Sequence, residues 1–100
     1  MENKKQYLIE KTIKEIKQKE EEIKKSDEGL EILETELKVE KRFFEMEDIN
    51  NEIKENIKYS VGALEDMIFM ERSKNDELKK DLQISKMRKQ IIDKFGEDEL

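Results

Sequence analysis

The chain has 100 residues, of which 48% are charged and 34% hydrophobic, and its formal net charge is −6. This length allows one domain at most, and the mixture suits long solvated helices better than a compact globule. Cysteine and histidine are both absent, which excludes disulfides and cysteine nucleophiles and removes the commonest general base and transition-metal ligand.

The 21 Lys and Arg residues are interspersed with 27 acidic residues, so no basic block is present and nucleic-acid binding is not expected. No apolar run reaches the length of a membrane span, and no apolar stretch follows the basic start as a signal peptide requires. The sequence predicts a soluble cytoplasmic protein without a membrane partner. No enzymatic activity, cofactor or metal site is predicted, because the carboxylates form no site-like constellation beside a pocket-forming core.

A first helix is predicted from about residue 6 to residue 45. Its apolar residues recur every seven positions, at Ile9, Ile16, Ile23, Leu30, Leu37 and Phe44. Such a stripe stays on one face only when helices supercoil, so it requires a partner helix. The companion positions four residues further on are mostly polar, which predicts a weak coiled coil; they are Ile13, Glu20, Asp27, Glu34 and Lys41. The Ser26–Gly29 stretch could cap a new helix or kink this one, but a continuous helix is favoured.

Residues 46–72 are predicted to form an acidic, Asn-rich linker and then a β-hairpin. The period-two spacing of Ile57, Tyr59 and Val61 favours a strand. A second apolar run begins at Met67, after the turn-permissive Gly62, so a hairpin with a loop of about five residues is expected.

A second helix is predicted over residues 73–95, with Ser73 as its N-cap and Gly96 as its stop. The predicted fold class is therefore mainly α: an antiparallel two-helix coiled coil joined by a central β-hairpin, in a single domain of residues 1–100. At about 1.5 Å per residue the first helix would be about 58 Å long and the second about 33 Å. The start of the first helix would then fray, kink near Gly29 or meet another protein.

A two-stranded hairpin is marginal in water by itself and needs further strands or a covering helix. Two charged helices with a half-polar seam bury too little apolar surface to compensate for the conformational entropy that is lost when the chain is ordered. Edge-to-edge pairing with the hairpins of other subunits would supply the missing strands. The sequence therefore predicts an oligomer.

The order helix, hairpin, helix resembles the β-type subunits of the prefoldin family. Residues 59–64, Tyr-Ser-Val-Gly-Ala-Leu, are similar to that family's first-strand signature. Residues 68–74, Ile-Phe-Met-Glu-Arg-Ser-Lys, are similar to its second strand running into the cap of the second helix. Residues 91–96, Ile-Ile-Asp-Lys-Phe-Gly, are similar to its closing motif. The loop after Gly62 is longer than the family pattern, and the second helix is shorter.

The resemblance implies a subunit of a heterohexamer of α-type and β-type prefoldin chains. Such an assembly captures unfolded, actin-like and tubulin-like polypeptides and delivers them to the cytosolic group II chaperonin without ATP. The implied assembly surface, which could instead be an intramolecular mini-core, consists of Ile57, Tyr59, Val61, Gly62, Leu64, Met67, Ile68 and Phe69. The implied client-binding tips, which could instead be ordinary coiled-coil seam, consist of Tyr7, Leu8, Ile9, Met87, Ile91, Ile92 and Phe95.

The rival hypothesis is a structural or tethering coiled coil with no client-binding role. It predicts a continuous helix through residues 57–70, where the prefoldin resemblance predicts strands. A secreted helical-hairpin partner of a bacterial export system is a further possibility, which the strand-like centre disfavours.

Overall fold

The computed structural model describes residues 3–96 and residue 99. It contains two long helices, α1 (Lys4–Phe44) and α2 (Asn51–Lys94), which form a helical hairpin. The mainly-α, two-helix part of the predicted fold class is confirmed. The predicted continuity of the first helix past Gly29 is confirmed as well, because α1 runs through that residue without a break.

Asparagine side chains cap the start of both helices. The Asn3 Oδ1 atom accepts a hydrogen bond from the Lys5 backbone N–H at 3.0 Å. The Asn50 Oδ1 atom accepts one from the Ile53 backbone N–H at 2.9 Å. Each cap satisfies a backbone donor that has no partner inside its helix. At the other end of α1, the N–H of Met46 donates to the carbonyl of Phe43 at 3.1 Å, which closes the last turn before the connecting loop.

The predicted central β-hairpin is wrong, because residues 57–70 lie inside α2 and the described residues contain no strand. The apolar residues that suggested strands also fit a helical spacing. Ile57, Val61, Leu64 and Ile68 follow one another at steps of four, three and four, which places them on one side of a helix. These four side chains are buried or half-buried. The helix therefore buries apolar surface that a solvated hairpin would leave exposed to water.

The predicted second helix over residues 73–95 is helical to Lys94, but its predicted start and the turn before it are wrong. Gly62 does not have a positive φ, so it continues the helix where a hairpin turn was expected. Ser73 lies in the middle of α2 and is not its N-cap. The second helix consequently has 44 residues, compared with 41 in α1. The sequence predicted that the start of the first helix would have no partner helix within the chain. The length of α2 removes this problem.

The seam of each helix follows an alternating spacing of three and four residues. On α1 the companion positions lie three residues after the apolar repeat; they are Thr12, Lys19, Ser26, Leu33 and Glu40. Of the predicted companions, Glu20, Asp27 and Lys41 are exposed, whereas Ile13 and Glu34 are half-buried. On α2 the same spacing links buried or half-buried residues at Lys54, Ile57, Val61, Leu64, Ile68, Glu71, Asn75, Leu78, Leu82, Ser85, Lys89 and Ile92. Thr12 is tolerated in a buried position because its hydroxyl donates to the carbonyl of Leu8 at 2.7 Å.

The chain divides into two compact units. The terminal unit comprises Met1–Lys25 and Asp76–Leu100, and the loop unit comprises Ser26–Asn75. In the terminal unit, the Lys5 ammonium donates to the carbonyl of Phe95 at 2.6 Å. In the loop unit, Arg72 forms an ion pair with Glu34 at 2.9 Å. The loop unit also contains the two buried hydrophobic side chains of the described chain, which are Ile57 and Ile68.

Candidate functional site on the outer face of α2

The residues predicted to form one assembly surface lie on two faces of α2. Their inward members are buried or half-buried; they are Ile57, Val61, Leu64 and Ile68. The remaining members are exposed; they are Tyr59, Gly62, Met67 and Phe69. The inward set belongs to the seam of the hairpin, as the alternative of an intramolecular core suggested. Only the exposed set is available to another molecule.

We call the exposed apolar surface the outer face of α2 and define it by Tyr59, Ala63, Met67, Phe69 and Met70. The spacing from Tyr59 to Ala63 to Met70 follows one side of a helix, and Met67 and Phe69 flank that line. Tyr59 is 82% exposed, Phe69 72% and Met70 70%. On a chain with 48% charged residues, this is a concentrated group of solvent-facing aromatic and methionine side chains.

Helical phase explains which members of the outer face the sequence missed. Ala63 and Met70 were not among the predicted surface residues, which were chosen on the strand interpretation. A period of 3.6 residues counted from Tyr59 would have found both. Asp66 is an exposed acidic residue on the same side of the helix, so the outer face is apolar with one carboxylate near its centre.

A cleft of about 320 Å³ lies in the loop unit and is lined by Lys41, Phe44, Glu45, Lys58 and Val61. Its basic groups already have acidic partners. The Lys41 ammonium lies 3.9 Å from a carboxylate oxygen of Glu65. The Lys58 ammonium lies 3.5 Å from a carboxylate oxygen of Glu55 and 6.0 Å from the centre of the Phe44 ring. Both basic groups of the cleft are therefore paired with carboxylates, and all four paired side chains are more than half exposed.

The predicted client-binding tips also divide by exposure within the terminal unit. Tyr7, Met87 and Ile91 are exposed. The other members are half-buried; they are Leu8, Ile9, Ile92 and Phe95. Ile9 and Ile92 occupy seam positions, as the seam alternative proposed for them. Met87 and Ile91 lie four residues apart on one side of α2, and Tyr7 lies on α1.

Among residues 3–96 and 99, no group of three or more acidic side chains is placed to hold a metal ion. Neither helix contains, within the described residues, an apolar stretch that could cross a membrane. Comparisons with protein families, with curated proteins and with solved structures find no match for this chain. The candidate site therefore rests on its own geometry.

Proposed function

We propose that this chain is a structural, tethering coiled coil that presents the outer face of α2 to a protein partner. The observation that carries the proposal is the exposure of Tyr59, Phe69 and Met70 on a helix whose other side is occupied by the seam. Contiguous exposed apolar patches mark interaction sites, and aromatic and methionine side chains are enriched in protein interfaces. A solvated face with no partner would be expected to carry charged residues instead.

The helical scaffold suits this role because it holds the outer face in one conformation before any partner arrives. Ile57 and Ile68 are buried on the seam side of the same helical segment. The ion pair between Arg72 and Glu34 joins α2 to α1 just beyond Met70. Binding to a preorganised face costs less conformational entropy than ordering a loop does. A partner would therefore meet side chains that are carried on an already ordered helix backbone.

Site-specific photo-cross-linking tests this proposal. The photoreactive residue p-benzoylphenylalanine is placed at Tyr59 or Phe69 and, as a matched control, at the exposed Val39 on α1. In cells that make the full chain, discrete adducts are expected from positions 59 and 69 but not from position 39. Met70→Glu in the same chain is expected to suppress these adducts, because it places a charge on the outer face. Equal adducts from all three positions would contradict the proposal.

Polypeptide capture in the manner of the prefoldin family is a second candidate function. The observation that favours it is the exposure of Tyr7, Met87 and Ile91 in the terminal unit, since exposed apolar groups suit weak, sequence-tolerant binding. The β-hairpin through which prefoldin-like subunits were predicted to assemble is not formed, because residues 57–70 are helical. Prefoldin subunits, actin-like or tubulin-like clients and the group II chaperonin stay predicted partners.

The two functions differ in which unit should contact other proteins. Polypeptide capture predicts that the native chain slows the aggregation of a chemically denatured client, such as actin diluted from guanidinium. Tyr7→Ser combined with Ile91→Ser would then abolish this effect, whereas Ile32→Ser in the loop unit would not. No effect of the native chain on aggregation, together with cross-links confined to the outer face of α2, would eliminate polypeptide capture.

A further inference from the structure

The loop unit contains a polar cluster at its seam, in which Asn75 of α2 contacts the buried Ser26 and the exposed Asp27 of α1. The Asn75 side-chain amide donates to the Ser26 hydroxyl oxygen at 3.1 Å and to a carboxylate oxygen of Asp27 at 2.8 Å. Ser26 and Asn75 are each only 3% exposed. Both donor hydrogens of the Asn75 amide can therefore be used inside the hairpin.

The apolar residues of the seam do not by themselves fix the register of the two helices. In the loop unit, α1 repeats Leu30, Leu37 and Phe44 every seven residues. On α2, Ile57 and Leu64 also lie seven residues apart. Sliding one helix along the other by seven residues would bring Phe44 level with Leu64 in one direction and Leu37 level with Ile57 in the other, so each shifted register keeps apolar pairs. Residues taken from the helix ends beside the loop could accommodate such a shift.

The polar cluster distinguishes the observed register from the shifted ones. Because the helices are antiparallel, a shift of seven residues brings Asn75 level with Leu33 in one direction and Ser26 level with Ile68 in the other. A buried amide opposite leucine has no acceptor, and leaving a buried polar group unpaired disfavours a state by about tenfold or more. A single buried asparagine is known to fix register and oligomeric state in coiled coils at some cost in stability.

We propose that Ser26, Asp27 and Asn75 form a register lock, which selects one alignment of α1 and α2 from several that the apolar seam would accept. The lock fixes which residues of α2 lie beside which residues of α1. It thereby fixes the positions of the exposed side chains of the loop unit. It is independent of what binds the outer face of α2.

Distance measurements between spin labels test the register lock. The chain has no cysteine, so cysteines introduced at the exposed positions Lys38 and Ser73 can be labelled specifically, and their separation measured by double electron–electron resonance. The otherwise native chain is expected to give one narrow distance distribution. Asn75→Leu is expected to add a second distance, because a shift of one heptad moves a label by about 10 Å along the helix axis. Its melting temperature should stay the same or rise, because leucine fits an apolar seam.

The control is Asn56→Leu, which makes the same substitution at an exposed position of α2 and should leave the distance distribution unchanged. If Asn75→Leu precipitates, Ser26→Ala combined with Asp27→Ala removes both acceptors without adding bulk, and the second distance is expected there as well. The exchanged pair Ser26→Asn with Asn75→Ser should restore the single distance. A single, native distance in the Asn75→Leu chain, or in the double alanine chain, would overturn the proposal.

Discussion

Lys5 is unfavourable in its own helix but is stabilised by the neighbouring helix. It lies in the first turn of α1, which contains no acidic residue, and a cation there opposes the helix dipole. Its ammonium donates to the carbonyls of Phe95 at 2.6 Å and Asp93 at 3.3 Å. Asp93 lies in the last turn of α2 and Phe95 directly follows that helix, so the ammonium lies at the C-terminal end of α2, where a cation is favourable. The cost in α1 is thus offset by the end of α2.

Replacing Lys5 by methionine should therefore destabilise the terminal unit. Methionine keeps the apolar stem but removes the donor, so a loss of about 0.5–1 kcal/mol in the free energy of unfolding is expected. Urea titration measures the loss, and faster amide exchange near Phe95 would locate it. Lys4→Met is the matched control, because Lys4 is an exposed neighbour in the same turn. Equal effects of the two substitutions would show that the carbonyl contacts contribute nothing.

Asn50 is a second residue whose role depends on position. It lies in a stretch rich in asparagine and acids, where the sequence predicts irregular structure without indicating which residue caps a helix. In the structure, Asn50 caps α2 by accepting a hydrogen bond from Ile53 N–H at 2.9 Å. Asn50→Ala should cost about 1 kcal/mol in the free energy of unfolding. Thermal unfolding measures this cost, and Asn56→Ala, in an exposed position within α2, is the comparison. A cost no greater than that of Asn56→Ala would contradict the capping role.

At the scale of the helix, α1 and the part of α2 after Ser73 were predicted from the sequence, whereas residues 51–72 of α2 were not, for one physical reason. The apolar repeat of α1 recurs six times without interruption, from Ile9 to Phe44. The seam of α2 is interrupted by polar residues at Lys54, Glu71, Asn75, Ser85 and Lys89. Between Lys54 and Glu71 the seam contains a short apolar run around Val61, and a short run fits a strand as well as a helix. The helix is favoured because it buries these side chains against α1. The local sequence does not contain this information.

The same ambiguity limited the prediction of the candidate site. Apolar character alone selected Tyr59, Met67 and Phe69, which are exposed on the outer face of α2. It also selected Ile57 and Ile68, which are buried in the seam. Separating the two sets requires the phase of the helix, and the strand interpretation supplied the wrong period. Small polar residues in the seam, such as Ser26, carry no signal of burial in their local sequence.

Gly62 provides a test of the helix at its centre. It does not have a positive φ, and a Cβ atom added to it would meet nothing within 4 Å. Gly62→Ala should therefore raise the free energy of unfolding by about 0.5–1 kcal/mol, because glycine in a helix interior is less favourable than alanine by this amount. Urea titration measures the change, and Gly29→Ala, which also has open space, should act in the same direction. Destabilisation by Gly62→Ala would be the result expected of a glycine-dependent turn.

At the scale of the whole molecule, 48% of the residues are charged, yet charge pairing contributes little to the fold. The ion pairs Lys41–Glu65, Lys58–Glu55, Arg72–Glu34 and Lys89–Asp93 all involve side chains that are at least one-third exposed. Pairs of this kind contribute about 0–1 kcal/mol each and are screened by salt. Added salt has an opposite, stabilising effect through the net charge of −6, because it weakens the repulsion between like charges. The apolar seam is left as the main stabilising element.

Stability should consequently depend weakly on ionic strength. Between low salt and 1 M NaCl, the free energy of unfolding is expected to change by less than about 1 kcal/mol, because the loss of exposed ion pairs and the relief of net repulsion oppose each other. Urea titrations at both salt concentrations measure this change. Arg72→Gln isolates the shortest of the ion pairs, at 2.9 Å: its cost should be below about 1 kcal/mol at low salt and should disappear at 1 M. A fall of several kcal/mol in the native chain at high salt would mean that charge pairing, and not the seam, holds the two helices together.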